Sequence, residues 1–146
     1  MERLPEFVAN HLFLVSLFIG ILMLLIWNLF GSVLTGVTEV SPQEATRLIN
    51  REHGVVLDVR AADEFRGGHI IGALNVPAAE LEQHRKELDK YKERPLISSC
   101  QNGAVGARVA RSLKTSGFAR AYALKGGIGA WRGANLPLTR DGDSKN

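Results

Sequence analysis

From Phe7 to Thr38 the chain contains no Asp, Glu, Lys or Arg. Within that window Leu12 to Phe30 is apolar apart from Ser16, Gly20 and Asn28. Nineteen residues wound as a helix reach roughly 28 Å at about 1.5 Å each, the hydrocarbon thickness of a bilayer. A helix that is apolar on every side has no face to turn to water, so it does not pack on the outside of a soluble domain. Trp27 and Phe30 fall near one end, where aromatic rings favour the membrane interface. A cleaved signal is the competing reading. The run is longer than an ordinary signal core, and Val33-Leu34-Thr35 matches a small-x-small cleavage site poorly. The segment reads as a retained single-pass anchor. Residues 1–11 then form a short N-terminal tail, 12–30 a transmembrane helix and 31–36 a linker.

Charge gives an orientation. Arg3 stands against Glu2 and Glu6 ahead of the run, whereas residues 37–146 hold 17 basic and 13 acidic residues, a net +4. That bias places the bulk of the chain on the cytoplasmic side. The net charge is too small and too evenly spread to indicate nucleic-acid binding. A single cysteine, Cys100, forms no internal disulfide and agrees with a reducing compartment.

The remainder alternates strands with helices. Val37–Val40 reads as a short strand. Ser41-Pro42-Gln43-Glu44 is a helix start, with Ser at the N-cap, Pro in the first turn and Glu three residues on. Val55–Val59 and Leu96–Ser99 are buried strands of the kind found inside parallel sheets. Charged residues 81–91 form a helix, and Val105–Thr115 another that stops at Gly117. Ala119–Leu124 reads as the last strand, and Gly126-Gly127 opens a final helix through Trp131. This pattern is an α/β domain with a mainly parallel sheet flanked by helices, over residues 37–138, with residues 139–146 as a polar tail.

Cys100 ends the Leu96–Ser99 strand and opens the loop Gln101-Asn102-Gly103-Ala104-Val105 ahead of a helix. Backbone N–H groups converge where a strand passes through a glycine loop into a helix. Such a place holds an anion and favours a thiolate over a thiol. Free cysteine is often merely a small buried hydrophobe, but this position marks a reactive thiol. Asp58 and Arg60, two apart on a strand, share a side and read as an ion pair holding the next loop. His69 reads as a structural histidine bonded to backbone, and Trp131 as packing against the last strand. His11, His53 and His84 lack metal-ligand spacing, and no metal or cofactor motif is present.

These residues form a series: Asp58-Val59-Arg60, Glu64-Phe65, Gly68-His69-Ile70, Gly72-Ala73, Asn75-Val76-Pro77, the Cys100 loop, and Leu124-Lys125-Gly126-Gly127 with Trp131. In that order and spacing they resemble a single-domain rhodanese over about residues 37–138. With the anchor, the chain is similar to membrane-tethered rhodanese-like proteins of bacterial inner membranes. The resemblance implies a sulfurtransferase without a cofactor. Cys100 would attack a sulfane sulfur donor and carry a persulfide, Gln101 to Val105 would wrap it with N–H groups, and a thiol acceptor would remove it.

The chain departs from the family at two positions. Active relatives usually carry a basic residue five positions after the cysteine, followed by Ser or Thr; here they are Val105 and Gly106. The cation for thiosulfate's outer oxygens is absent from the loop, so weak use of thiosulfate is expected. Arg108 is the candidate replacement, with Asp58 and Arg60 as further support. Gly106 also stands where a cysteine phosphatase needs its Arg, which argues against phosphatase chemistry. Two other readings stay open. One is an adaptor that binds another membrane protein, with the thiol vestigial. The other is a sensor in which modification of Cys100 alters a partner interaction. Ser16 and Gly20, four apart in the anchor, would permit close helix approach.

Overall fold

The structure, a computed structural model, describes residues 3–140, and for residues 31–35 the backbone alone. It divides into two compact units, with the boundary along the chain between Thr35 and Gly36.

The first unit is helical. α1 spans Arg3–Asn10 and α2 spans Leu12–Thr35. Hydrogen bonds from the His11 N–H to the Phe7 carbonyl and from the Val15 N–H to the His11 carbonyl, both 3.0 Å, carry the ladder across the junction. The expected tail is therefore helical over its described residues, and the expected linker 31–36 is helix as far as Thr35. A lone glycine such as Gly31 costs a helix only about 1 kcal/mol, and the first residue in the left-handed region is Gly36, at φ +65°. Leu12–Phe30 has a mean hydropathy of 2.6, which by length and composition suffices to cross a membrane. Signal sequences share that composition.

The second unit is the α/β domain. β1 (Thr38–Val40) leads to α3 (Pro42–Glu52), then β2 (Val55–Asp58) and the short α4 (Ala62–Arg66). Next come β3 (His69–Ile70), β4 (Leu74–Asn75), α5 (Leu81–Leu88) and β5 (Leu96–Ser99). The chain closes with α6 (Ala104–Thr115), β6 (Ala121–Leu124), α7 (Gly127–Gly133) and β7 (Leu138–Thr139). The main sheet has the order β1-β6-β5-β2-β4, with every pairing parallel. The mainly parallel sheet expected from sequence is thus present. β6 is not the last strand, because β7 pairs antiparallel with β3. Thr139, assigned to the tail, is paired with His69 in that ladder. Arg140 follows without regular structure, and the rest of the tail, Asp141–Asn146, lies outside the described residues.

Local chemistry explains the elements. The Ser41 Oγ accepts from the Glu44 N–H at 3.2 Å, and the Glu44 carboxylate accepts from the Ser41 N–H at 3.2 Å, a closed capping box at α3. The charged segment 81–91 is α5 followed by a 3-10 turn at Asp89–Tyr91. Alternate strand residues feed two cores. Leu57, Leu96 and Cys100 face Leu81, Val109, Leu113 and Phe118 of the α5–α6 layer. Val56, Ile97 and Leu124 face Ala45, Leu48, Ile128 and Trp131 of the α3–α7 layer. The Trp131 Nε1–H donates to the Pro137 carbonyl at 3.0 Å, which satisfies the ring's one polar atom.

Strand order places the crevice. After β2 the chain moves outward to β4, then returns to the far side of β2 as β5. The connections leaving β2 and β5 therefore diverge. In open α/β sheets such a switch point leaves a cleft at the carboxyl ends of the strands.

Candidate active site

Cys100 follows central strand β5 and lies at that switch point. It is 4% exposed and lines a cleft there. The cleft holds about 330 Å³ and is lined on one side by Val59, Arg60, Ala61 and Glu64, and on the other by the Cys100 loop.

The sulfur meets the N-terminus of α6. The Gly103 N–H donates to Cys100 Sγ at 3.0 Å and the Gly106 N–H at 3.3 Å. These are the N-cap and third residues of the helix, whose dipole adds a partial positive charge there. Gly103 takes φ +100°, which turns the loop into the helix without a side-chain cost. The Ala104 N–H is held instead by the Asn102 side chain at 3.2 Å. Within the expected Gln101 to Val105 loop, the Gly103 N–H meets the sulfur and the Ala104 N–H does not, and just beyond the loop the Gly106 N–H does. Gln101, Asn102 and Val105 line the cleft. Gly106 also lets α6 lie on β5, since a Cβ there would stand 3.0 Å from the Ser98 carbonyl.

The loop's other side is fastened by backbone from α7. The Ile128 N–H donates to the Cys100 carbonyl at 2.8 Å and the Gly129 N–H to the Gln101 carbonyl at 3.2 Å. The approach is so close that a Cβ at Gly127 would lie 2.2 Å from the Cys100 carbonyl oxygen. Gly127 itself has φ +58°. In sequence its only trace is the Gly126-Gly127 pair, which reads equally as a plain helix start.

Asp58 and Arg60 form the expected ion pair. Arg60 Nη2 lies 2.7 Å from Asp58 Oδ2 and 2.7 Å from the Gly68 carbonyl, and Nε donates to Oδ1 at 3.0 Å. Both side chains are buried. Arg60 thus lines the cleft with its charge already matched. Asn75 donates to the Asp58 and Arg60 carbonyls at 3.1 and 3.0 Å and ties β4 to this turn. His69 Nδ1 lies 2.7 Å from the Phe65 carbonyl, with its ring stacked on Phe65 at 3.7 Å.

Arg108 is not brought to Cys100. It is exposed and lines a neighbouring groove with Ala78, Leu81, Glu82 and Ser112. Helical geometry explains this: Val109 turns into the core beneath α6, and its neighbour Arg108 turns away toward α5. Glu64, which the sequence reading did not assign to the site, does line the cleft, and its carboxylate accepts from the Ala61 N–H at 3.3 Å. With Arg60 neutralised by Asp58, Glu64 is the unmatched charge among the cleft-lining residues.

A cysteine at the end of a central parallel strand, with helix N–H groups on its sulfur, is an arrangement that can stabilise a thiolate. The chain belongs to the rhodanese-like family: the family model for the rhodanese-like domain matches residues 41–134. Along nearly its full length it is 38% identical over 141 residues to the uncharacterized protein YibN of Escherichia coli (strain K12), covering 96% of this chain and 99% of that protein. It is 33% identical over 94 residues to the thiosulfate sulfurtransferase GlpE of Coxiella burnetii, covering 64% of this chain and 86% of that protein. Among solved structures, the thiosulfate sulfurtransferase of Pseudomonas aeruginosa superposes with a TM-score of 0.66 at 27% identity, over 76% of this chain and 22% of that one.

Proposed function

We propose that the protein is a membrane-tethered sulfurtransferase of the bacterial inner membrane, its domain on the cytoplasmic side, carrying sulfane sulfur as a persulfide on Cys100. The observation that carries this reading is the pair of N–H donors from Gly103 and Gly106 on a buried sulfur that lines a cleft. The Cys100 thiolate attacks the outer sulfur of a donor persulfide. The new S–S bond forms as the donor's S–S bond breaks, and the donor leaves as a thiolate. An acceptor thiolate then attacks the outer sulfur of the Cys100 persulfide and regenerates the Cys100 thiolate. No net oxidation occurs. Preset donors around the sulfur hold negative charge without having to reorganise, which is the logic of an oxyanion hole applied to sulfur.

The cleft favours donors of low charge. Thiosulfate is a dianion, and it would meet Glu64, a neutralised Arg60 and the apolar Val105. A second reading rests on the same Val105: an adaptor for another membrane protein needs no cation in the loop. Intact mass spectrometry of the full chain after polysulfide, and separately after thiosulfate, decides between them. One added sulfur on the parent, absent from Cys100→Ala and lost to a thiol acceptor, is the expected result. No adduct from either donor on a folded chain would overturn the sulfur-carrier reading in favour of the adaptor.

A further inference from the structure

The end of the domain opposite Cys100 has chemistry of its own. Parallel register sets the starts of β1, β6, β5 and β2 side by side. The residues leading into those strands therefore share one face, and basic side chains collect on it from segments far apart in sequence. Lys114 Nζ reaches the Gly36 carbonyl at 3.3 Å. Lys92 Nζ stands 5.5 Å from the Phe118 ring centroid, just ahead of β6. Lys90 and Arg94 flank the Tyr91 ring at 5.1 and 5.4 Å, and the Arg94 Nε–H donates to the His53 carbonyl at 2.7 Å. Arg120 completes the group, paired with Glu52. Of the acidic residues there, Glu52 is matched by Arg120, Asp89 by Lys92 at 3.2 Å and Glu87, which shares a groove with Lys90, by His84 at 3.1 Å, which leaves Glu93. Lys90, Arg94 and Lys114 have no carboxylate partner among the described residues, so the face carries excess positive charge.

Gly36 lies on this face, and in sequence it directly follows the last residue of α2. We propose that this face is a docking surface for anionic phospholipid headgroups, so that the domain rests on the bilayer by the amino ends of its strands. The proposal rests on reading α2 as a membrane anchor. Sequence counting misses it, because Lys90, Lys92 and Lys114 lie far beyond the stretch in which basic residues set topology; the fold returns them to the point where the chain enters the domain. It fixes the direction of the reaction too. From Pro95 along β5 to Cys100 is roughly 16 Å of extended chain, so the cleft opens away from the lipid. Donor and acceptor then approach Cys100 from the aqueous side rather than through the bilayer.

The test uses the full chain in nanodiscs of phosphatidylcholine alone or with phosphatidylglycerol, with lysine acetylation read by mass spectrometry. Lys125 follows the carboxyl end of β6 and is the internal control. Each basic residue near an anionic surface gains roughly a fivefold factor in partitioning. Acetylation of Lys90, Lys92 and Lys114 should therefore fall several-fold in the anionic discs, recover in high salt, and leave Lys125 unchanged. Lys90→Gln with Lys114→Gln should restore acetylation at Lys92. Equal labelling in both lipids, protection of Lys125 instead, or equal protection by free inorganic phosphate in zwitterionic discs would each overturn the proposal. A chain that fails to float with the discs sinks the anchor, and this proposal with it. A chain that floats without the charge-dependent protection sinks this proposal alone.

Discussion

Replacing Val105 with Arg tests why the cleft should handle thiosulfate poorly. Val105 is half-buried and lines the cleft with Cys100. A guanidinium there would stand about 5 Å from the outer oxygens of a thiosulfate poised on the sulfur. At an effective dielectric near 20, two unit charges at that distance attract by about 3 kcal/mol. The cleft is open to water and Glu64 already competes for the new cation, so about 1–2 kcal/mol should survive. That corresponds to roughly a 5- to 30-fold rise in kcat/KM with thiosulfate. The assay is steady-state turnover with thiosulfate as donor and cyanide as acceptor. Single-turnover loading from a low-charge persulfide donor runs beside it. Val105→Met, of similar polarity and no charge, should leave both rates near the parent. A folded Val105→Arg protein with unchanged thiosulfate kcat/KM, while persulfide loading proceeds, would refute the electrostatic account.

Gly127→Ala should abolish loading and destabilise the domain by about 3 kcal/mol or more, because the new Cβ meets the Cys100 carbonyl and φ is +58°; Gly133→Ala, with open space around its Cβ, is the thermal-denaturation control. Asp58→Ala strands the buried Arg60 charge and should cost about 3–5 kcal/mol in chemical denaturation, whereas Cys100→Ala should unfold close to the parent midpoint. His84 sits between Glu80 and Glu87, and its hydrogen bond to Glu87 raises its pKa above the ordinary histidine value. Its small stabilisation of the fold is therefore complete below the unfolded value and lost as pH rises through the folded one; an NMR titration should place its midpoint above that of a Glu87→Gln variant.

The parts of the fold that were legible in sequence are those written in burial and capping. Val55–Leu57 and Leu96–Ile97 are apolar on both sheet faces, and Ser41-Pro42-Gln43-Glu44 spells out its own cap. β7 was not legible, because two residues show no periodicity. Helix α2 runs past Gly31 because one glycine in an apolar helix is a small cost. In the candidate site, the place of Cys100 at the end of a strand and the Asp58–Arg60 pair could be read from position alone. Arg108 could not, since eight residues past the thiol a helix is free to present either face. The α7 clamp on the Cys100 loop uses only backbone groups and left no side-chain signature beyond glycine. Glu64 was hidden for a different reason: it was read only as part of the Glu64-Phe65 motif, while in the fold its carboxylate accepts from the Ala61 N–H at the start of α4.

The clamp has a consequence for how the protein is made. The carbonyls of Cys100 and Gln101 find their partners in Ile128 and Gly129, about 28 residues further along a chain that emerges at roughly 5–20 residues per second. The nucleophile is therefore made roughly 1–6 s before the element that closes its loop. Until that element docks, the thiol lacks the enclosure that the finished cleft provides. The finished site shields it, so the reactivity of the nascent chain and that of the folded protein are separate properties.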